Sequence, residues 1–193
     1  MDKRKTVIGV TGTYASGKST VADMLVEKGA LKIDADAIGH EVLMREEVKD
    51  RIVAIWGEGV LRDGLVDRKA LAEKVFSSRN DLKKLCEITH PRIIEEIEQR
   101  INDAESGVIV LDAPLLLEAG LRHLVDRVVV VRTSAAKCAE RAVCRGADMQ
   151  RIRNIIDSQM PAEKKEELAD HIIDNNGDME KTKEGVDKLW QGI

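Results

Sequence analysis

Gly12-Thr13-Tyr14-Ala15-Ser16-Gly17-Lys18-Ser19 reads as Gly, four residues, Gly, Lys, Ser, the spacing of a phosphate-binding loop, or P-loop. Its flanks supply the setting such a loop needs. Thr6-Val7-Ile8-Gly9-Val10-Thr11 precedes it as a β-branched run suited to a buried parallel strand. Val21, Ala22, Leu25 and Val26 follow at helical spacing, so a helix starts near Lys18. Strand, glycine loop and helix turn the loop N–H groups and the positive helix end toward one place, where an anion is favoured. Gly12, Ala15, Ser16, Gly17, Lys18, Ser19 and Thr20 are therefore the expected nucleotide-binding residues. Lys18 brings a charge for the β- and γ-phosphates, and the Ser19 hydroxyl is placed to ligate magnesium.

Outward from the loop, Ala30–Ile33 reads as a second strand running into Asp34-Ala35-Asp36. Residues two apart on an extended segment face one side, so both carboxylates could leave the strand together, at the end where open α/β sheets bind ligands. Asp36 is the expected chemical group; Asp34 is either a helix cap or a substrate contact. Val108–Asp112 is a third strand, and Asp112 at its end suits a magnesium-water ligand. Arg127–Val131 and Ala169–Asp174 read as the fourth and fifth strands.

Between the second and third strands, Ala37–Arg51 is helical in pattern and 57–64 is turn-rich. A run of helices with no strand follows: Arg68–Phe76, Leu82–Ile88 after a cap at Ser78 and Asp81, and a longer helix begun by Thr89-His90-Pro91. His90 reads there as a helix cap. After the fourth strand, Lys137, Arg141 and Arg145 form one helical stripe. Charge runs usually mark solvated faces. This one follows a sheet strand, and arginines closing over a transferring phosphoryl group are what it would supply.

The chain has 193 residues, 43% of them hydrophobic, which suits one globular domain with a full core. Tyr14, Trp56, Phe76 and Trp190 are its four aromatic residues, too few for base-stacking platforms. A net charge of −4 gives no global pull toward nucleic acid or anionic lipid. Cys86, Cys138 and Cys144 are odd in number and lack zinc spacing, as expected of free thiols in a reducing cytosol. No apolar run approaches a membrane span and no signal peptide is visible, so a cytoplasmic location is expected.

Several motifs together resemble the dephospho-coenzyme A kinase family. They are the loop from Val10 to Thr20, Ile33-Asp34-Ala35-Asp36, Thr89-His90-Pro91 and Pro114-Leu115-Leu116-Leu117-Glu118. Arg141 and Arg145 match lid arginines, and Asp174-Asn175-Asn176-Gly177 matches a late Asn-Gly turn. The resemblance implies an α/β fold: a five-stranded parallel-sheet P-loop kinase core with helices on both faces, a helical substrate-binding insertion and a small helical lid. The expected parts are a core at about 1–59, 106–136 and 160–193, an insertion at about 60–105 and a lid at about 137–159.

It further implies phosphorylation of the ribose 3′-hydroxyl of dephospho-coenzyme A by ATP with Mg2+, the last step of coenzyme A synthesis. Asp36 is then the candidate base, acting with Lys18, Arg141 and Arg145. Asn175 and Asn176 lie near the adenine, and Asp34, His90, Leu115, Leu116 and Glu118 contact the acceptor. No nucleic-acid or membrane partner is expected, and the chain is expected to be a monomer or weak oligomer. Two other readings stand beside this one. Another small-molecule or nucleoside monophosphate kinase of the same fold would share the loop. A nucleotide switch would share Asp36-Ala37-Ile38-Gly39 but lacks the guanine-reading Asn-Lys-x-Asp. The family usually carries more glycine where this loop has Thr13, Tyr14 and Ala15, positions that can need permissive backbone angles.

Overall fold

The apolar runs on either side of the loop become neighbouring strands. In this computed structural model, residues 5–75, 78–144, 146–148, 152 and 155–193 are described. The elements are β1 (Thr6–Gly12), α1 (Lys18–Glu27), β2 (Leu31–Asp34), α2 (Ala35–Leu43), α3 (Glu46–Trp56), β3 (Leu61–Arg62), β4 (Leu65–Val66), α4 (Arg68–Val75) and α5 (Arg79–Asp103). They continue with β5 (Val108–Asp112), β6 (Arg127–Arg132), α6 (Ala135–Cys144), α7 (Ala162–Glu167), β7 (His171–Asp174) and α8 (Met179–Gln191). The chain divides into two compact units, one of residues up to Asp34 and from Ile101 onward, the other Ala35–Arg100. The insertion expected at about 60–105 overlaps the second unit, which starts earlier, at Ala35.

The first unit holds a five-stranded sheet in the order β2-β5-β1-β6-β7. Every pairing is parallel. Its central strands are apolar on both sides because both faces are covered. On one face Ile8, Val10, Val110, Val129, Val131 and Ile173 pack under Val21, Ala22 and Leu25 of α1 and Val186 and Leu189 of α8. On the other, Leu116 and Val125 pack over Gly9, and α7 is tied down by the Lys165 ammonium, which donates to the Pro114 carbonyl at 2.8 Å. Helices on both faces of a five-stranded parallel sheet match the expected fold. β1 lies centrally, so the loop after it is flanked by the ends of β5 and β6, the crevice where such sheets bind ligands.

The second unit departs from the sequence reading in three places. The expected helix over Ala37–Arg51 is two helices, α2 and α3, with Arg45 extended between them (φ −67°, ψ 134°) and paired with Glu96. The supposedly strand-free stretch holds the antiparallel pair β3–β4, in which Leu61 faces Val66. Asp63 and Gly64, at φ 52° and 78°, make the left-handed two-residue turn that Asp-Gly favours. α5 runs unbroken through Pro91, so Thr89-His90-Pro91 does not begin a helix. Ile88 and Ile97 are buried on either side of the proline, and that burial favours one continuous rod. The Ser78 cap is present: its hydroxyl accepts from the Asp81 N–H at 3.3 Å.

Candidate active site

The loop takes the backbone its glycines allow. A Cβ on Gly12 would stand 2.5 Å from Ser16 Oγ and 2.8 Å from the Val131 carbonyl, so no larger residue fits. Gly17 sits at φ 92°, directly before α1, and α1 begins with no side-chain cap. An uncapped helix start beside a glycine turn leaves N–H groups and the helix dipole to an anion. Ala15 adopts φ 60°, a left-handed angle that costs a non-glycine residue roughly 1–2 kcal/mol. The departure from the family's loop glycines thus falls on a position that does need a permissive angle. Ser16 Oγ is buried and makes no hydrogen bond.

Two lysines face one buried carboxylate. Lys18 Nζ pairs with Asp112 Oδ1, and Lys32 Nζ stands 3.6 Å from Asp112 Oδ2. Asp112 is 2% exposed. Asp34 is its register partner on β2, so the two carboxylates end adjacent strands side by side. Burial opposes the charge on Lys32. The hydrogen bond to Asp23 and the charges of Asp112, Asp23 and Asp34 still hold its ammonium above the ordinary lysine value. No group of three or more His, Cys, Asp or Glu gathers among the described residues. Magnesium asks little of a protein, since one or two carboxylates and substrate phosphates suffice. Buried Asp112 and exposed Ser19 fit that donor set.

The back of the loop is held by an unusual convergence. The Ser16 carbonyl accepts from Asn175 Nδ2 at 2.7 Å, Thr133 Oγ1 at 2.8 Å and Arg141 Nη1 at 3.1 Å. Arg141 Nη2 also donates to the Asn175 carbonyl at 3.1 Å. Asn176 ties the end of β7 to α6. Its Oδ1 accepts from the Ser134 N–H at 2.7 Å, and its carbonyl accepts from Lys137 Nζ. The backbone N–H of Asn176, then its side-chain amide and Arg132, hold the Asp174 carboxyl below the usual carboxylate value. At the loop crown, the Tyr14 N–H donates to Gln159 Oε1 at 2.9 Å.

The other expected residues fall in three groups. Leu116 is fully buried in the core, while Leu115 is 45% exposed. Glu118 Oε1 accepts from the Met160 N–H at 2.9 Å and pairs at 2.8 Å with fully buried Lys165. Asp36 and Asp34 do not share a strand face, because β2 stops at Asp34 and Asp36 lies in the first turn of α2. An aspartate suits each place, directly before a helix and within its positive end. Asp36 and His90 belong to the second unit. Burial lowers His90 below the ordinary imidazole value. Arg145 lies outside the described residues.

Thr133, Gln159, Lys165 and Thr182 were not singled out by the sequence. Thr133 follows a strand at the ligand end, a signal that could have found it. Lys165 sits in Ala162-Glu163-Lys164-Lys165-Glu166-Glu167, which reads as a solvated helix, so nothing local marked it.

The family model for dephospho-CoA kinase matches residues 6–181. A dephospho-CoA kinase of Aquifex aeolicus is 39% identical over 189 residues, 96% of each chain. One of Corynebacterium efficiens is 41% identical over 188 residues, 94% of each chain. The solved structure of a dephospho-CoA kinase from Campylobacter jejuni superposes with a TM-score of 0.71 at 29% identity, covering 97% of this chain and 96% of that one. A phosphate loop backed by a buried Lys–Asp pair, together with matches over nearly the whole length, makes this chain a member of the dephospho-CoA kinase family.

Proposed function

We propose that the protein transfers the γ-phosphoryl group of ATP to the ribose 3′-hydroxyl of dephospho-coenzyme A, giving coenzyme A and ADP. The observation that carries this reading is the uncapped loop-to-helix junction at Gly17, with Lys18 beside it and Asp112 behind it. The family match narrows the acceptor. The loop N–H groups and Lys18 bind the phosphates. For that, the Lys18 ammonium leaves Asp112 for the nucleotide, and Lys32 remains beside the carboxylate. Ser19 and Asp112 are the residues that would hold Mg2+, which when bound neutralises charge on the β- and γ-oxygens. Arg145 supplies a planar donor for the transferring group, Arg141, held on the Ser16 and Asn175 carbonyls, supports the loop from behind, and Asp36 accepts or directs the hydroxyl proton. Asp34, His90, Glu118 and exposed Leu115 are the acceptor-side residues in this reading.

It also makes the protein a cytoplasmic, monomeric or weakly associating enzyme of small molecules. Its three cysteines are free, and no helix among the described residues is long and apolar enough to cross a membrane.

ADP release should be measured with dephospho-coenzyme A, nucleoside monophosphates and shikimate. Dephospho-coenzyme A is expected to be preferred by about 10²-fold or more, of the order a site built around specific polar contacts achieves. Equal rates with a nucleoside monophosphate would overturn the acceptor. Chelating divalent metal should stop turnover with every acceptor. In single-turnover transfer, Asp36→Asn is expected to lose about 10²-fold, the lower part of the general-base range. Its ATP binding should stay near normal. Loss in Asp34→Asn instead would exchange the two roles.

A further inference from the structure

Asn175 is 6% exposed, and each of its polar groups is engaged within the protein. Its N–H donates to the Arg132 carbonyl at 2.8 Å, and its carbonyl accepts from Arg141. Its Nδ2 donates to the Ser16 carbonyl, and its Oδ1 accepts from the Thr182 hydroxyl at 2.8 Å. That side chain is buried, with one amide hydrogen committed to the loop and one oxygen lone pair committed to Thr182. It lies against the loop turn, since a Cβ on Gly17 would stand 2.2 Å from Asn175 Nδ2.

A trans peptide is planar, with its C=O and N–H pointing opposite ways, and no peptide bond among the described residues is cis. Thr133, Arg141 and Asn175 all pull the Ser16 carbonyl to one side. They therefore turn the Gly17 N–H of the same peptide to the other side. Gly17 alone imposes no such choice, because glycine tolerates either orientation of the preceding peptide. An amide, moreover, can present oxygen or nitrogen to the Ser16 carbonyl, and only nitrogen is attractive there. The Thr182 hydroxyl, fully buried on α8, selects that orientation by donating to Oδ1. The Asp178 carbonyl, its other acceptor, is farther away at 3.4 Å.

We propose that Thr182 is a positioning residue of the nucleotide site: it sets the Asn175 amide, which with Thr133 and Arg141 clamps the Ser16–Gly17 peptide so that the Gly17 N–H faces the bound phosphates. Asn175 acts through the loop and on the phosphates, not on the base. This rests on the loop being the ATP phosphate site.

The test uses full-length protein, calorimetric binding of ATP, GTP and inorganic tripolyphosphate, and thermal unfolding. Wild-type protein that bound neither ATP nor tripolyphosphate would defeat the functional reading itself. Given wild-type binding, Thr182→Val keeps the shape and removes the hydroxyl. It should weaken all three ligands alike, by about tenfold, the scale of one hydrogen bond. Thr182→Ser keeps the hydroxyl and leaves a small cavity; it should bind within about twofold of wild type even if its Tm falls. A merely structural role would instead make affinity follow Tm, with Ser as damaging as Val, and that result overturns the proposal. So does a Thr182→Val protein that loses ATP but keeps tripolyphosphate, since Asn175 would then be reading the base. If Thr182→Val does not fold, Thr133→Val removes a different donor to the same carbonyl, and unchanged tripolyphosphate binding there overturns the clamp.

Discussion

At the carboxyl end of the parallel sheet, Lys18 and Asp112 pair with only 14% and 2% of their side chains exposed, whereas Arg92 and Glu95 in the Ala35–Arg100 unit pair with 41% and 56% exposed. Lys165 with Glu118 repeats the first pattern. Lys49 with Glu46, whose glutamate is 80% exposed, repeats the second. Exposed pairs contribute about 0–1 kcal/mol each, because water and salt already satisfy the charges. A buried pair behaves differently. Removing one partner strands the other, and the loss can reach several kcal/mol even where the intact pair adds little. The Lys18–Asp112 and Lys165–Glu118 pairs are thus coupled, whereas the exposed Arg92–Glu95 and Lys49–Glu46 pairs are nearly independent.

The strongest way to break this contrast is Lys18→Ala. Turnover should fall by about 10³-fold or more, as when a preorganised charge is removed from a transferring group. Stability should fall as well, because Asp112 keeps only Lys32 at 3.6 Å. Lys18→Ala with Asp112→Asn should recover Tm but not turnover. An unchanged Tm in the single variant would show that the rim charges are not coupled.

Next in size is Lys165→Met, expected to cost about 3 kcal/mol in urea unfolding, because Glu118, 19% exposed, keeps the Met160 N–H but loses its ammonium, and the Pro114 carbonyl loses its donor. Adding Glu118→Gln should return most of that loss. Additive losses would contradict the coupling.

The smallest effect belongs to the helical unit. Glu96 accepts from Arg100 at 2.8 Å, and that bond, helped by the charges of Arg100 and Arg45, holds its carboxyl below the ordinary 4.5. A carboxyl lowered on folding stabilises fully above its unfolded value and loses that contribution as pH falls through the folded one. Glu96→Gln should therefore cost about 1 kcal/mol or less at pH 7 and low salt. The cost should fall away as pH drops below the ordinary carboxylate range and shrink in ~1 M salt. A cost that persists in high salt would make this network as dry as the rim.

The same division decided what could be read in advance. The loop, Lys18, Ser19 and Asp112 carry their chemistry in local pattern: a glycine spacing, a helix start, a carboxylate ending an apolar strand. Their neighbourhood in the sheet followed from parallel topology. The β3–β4 turn was legible in Asp63-Gly64 but was masked by the helical stretches on both sides. The continuity of α5 was not legible, because proline at residue 91 normally signals a helix start and burial of Ile88 and Ile97 outweighed that signal. Lys165 and Thr182 act through contacts with residues 51 and 7 positions away, which no local pattern encodes.

Ser16 and its Asn175 strap lie 159 residues apart. A ribosome adding ~5–20 residues per second makes the loop roughly 8–32 s before the strap exists. Through that interval the glycine turn has neither Thr133, Arg141 nor Asn175 behind it at first, and gains them in that order. Nucleotide that meets the loop in that interval meets it without its clamp. The binding surface is closed last, by the chain's final strand and helix, and a nascent chain halted before β7 carries the motif without its clamp.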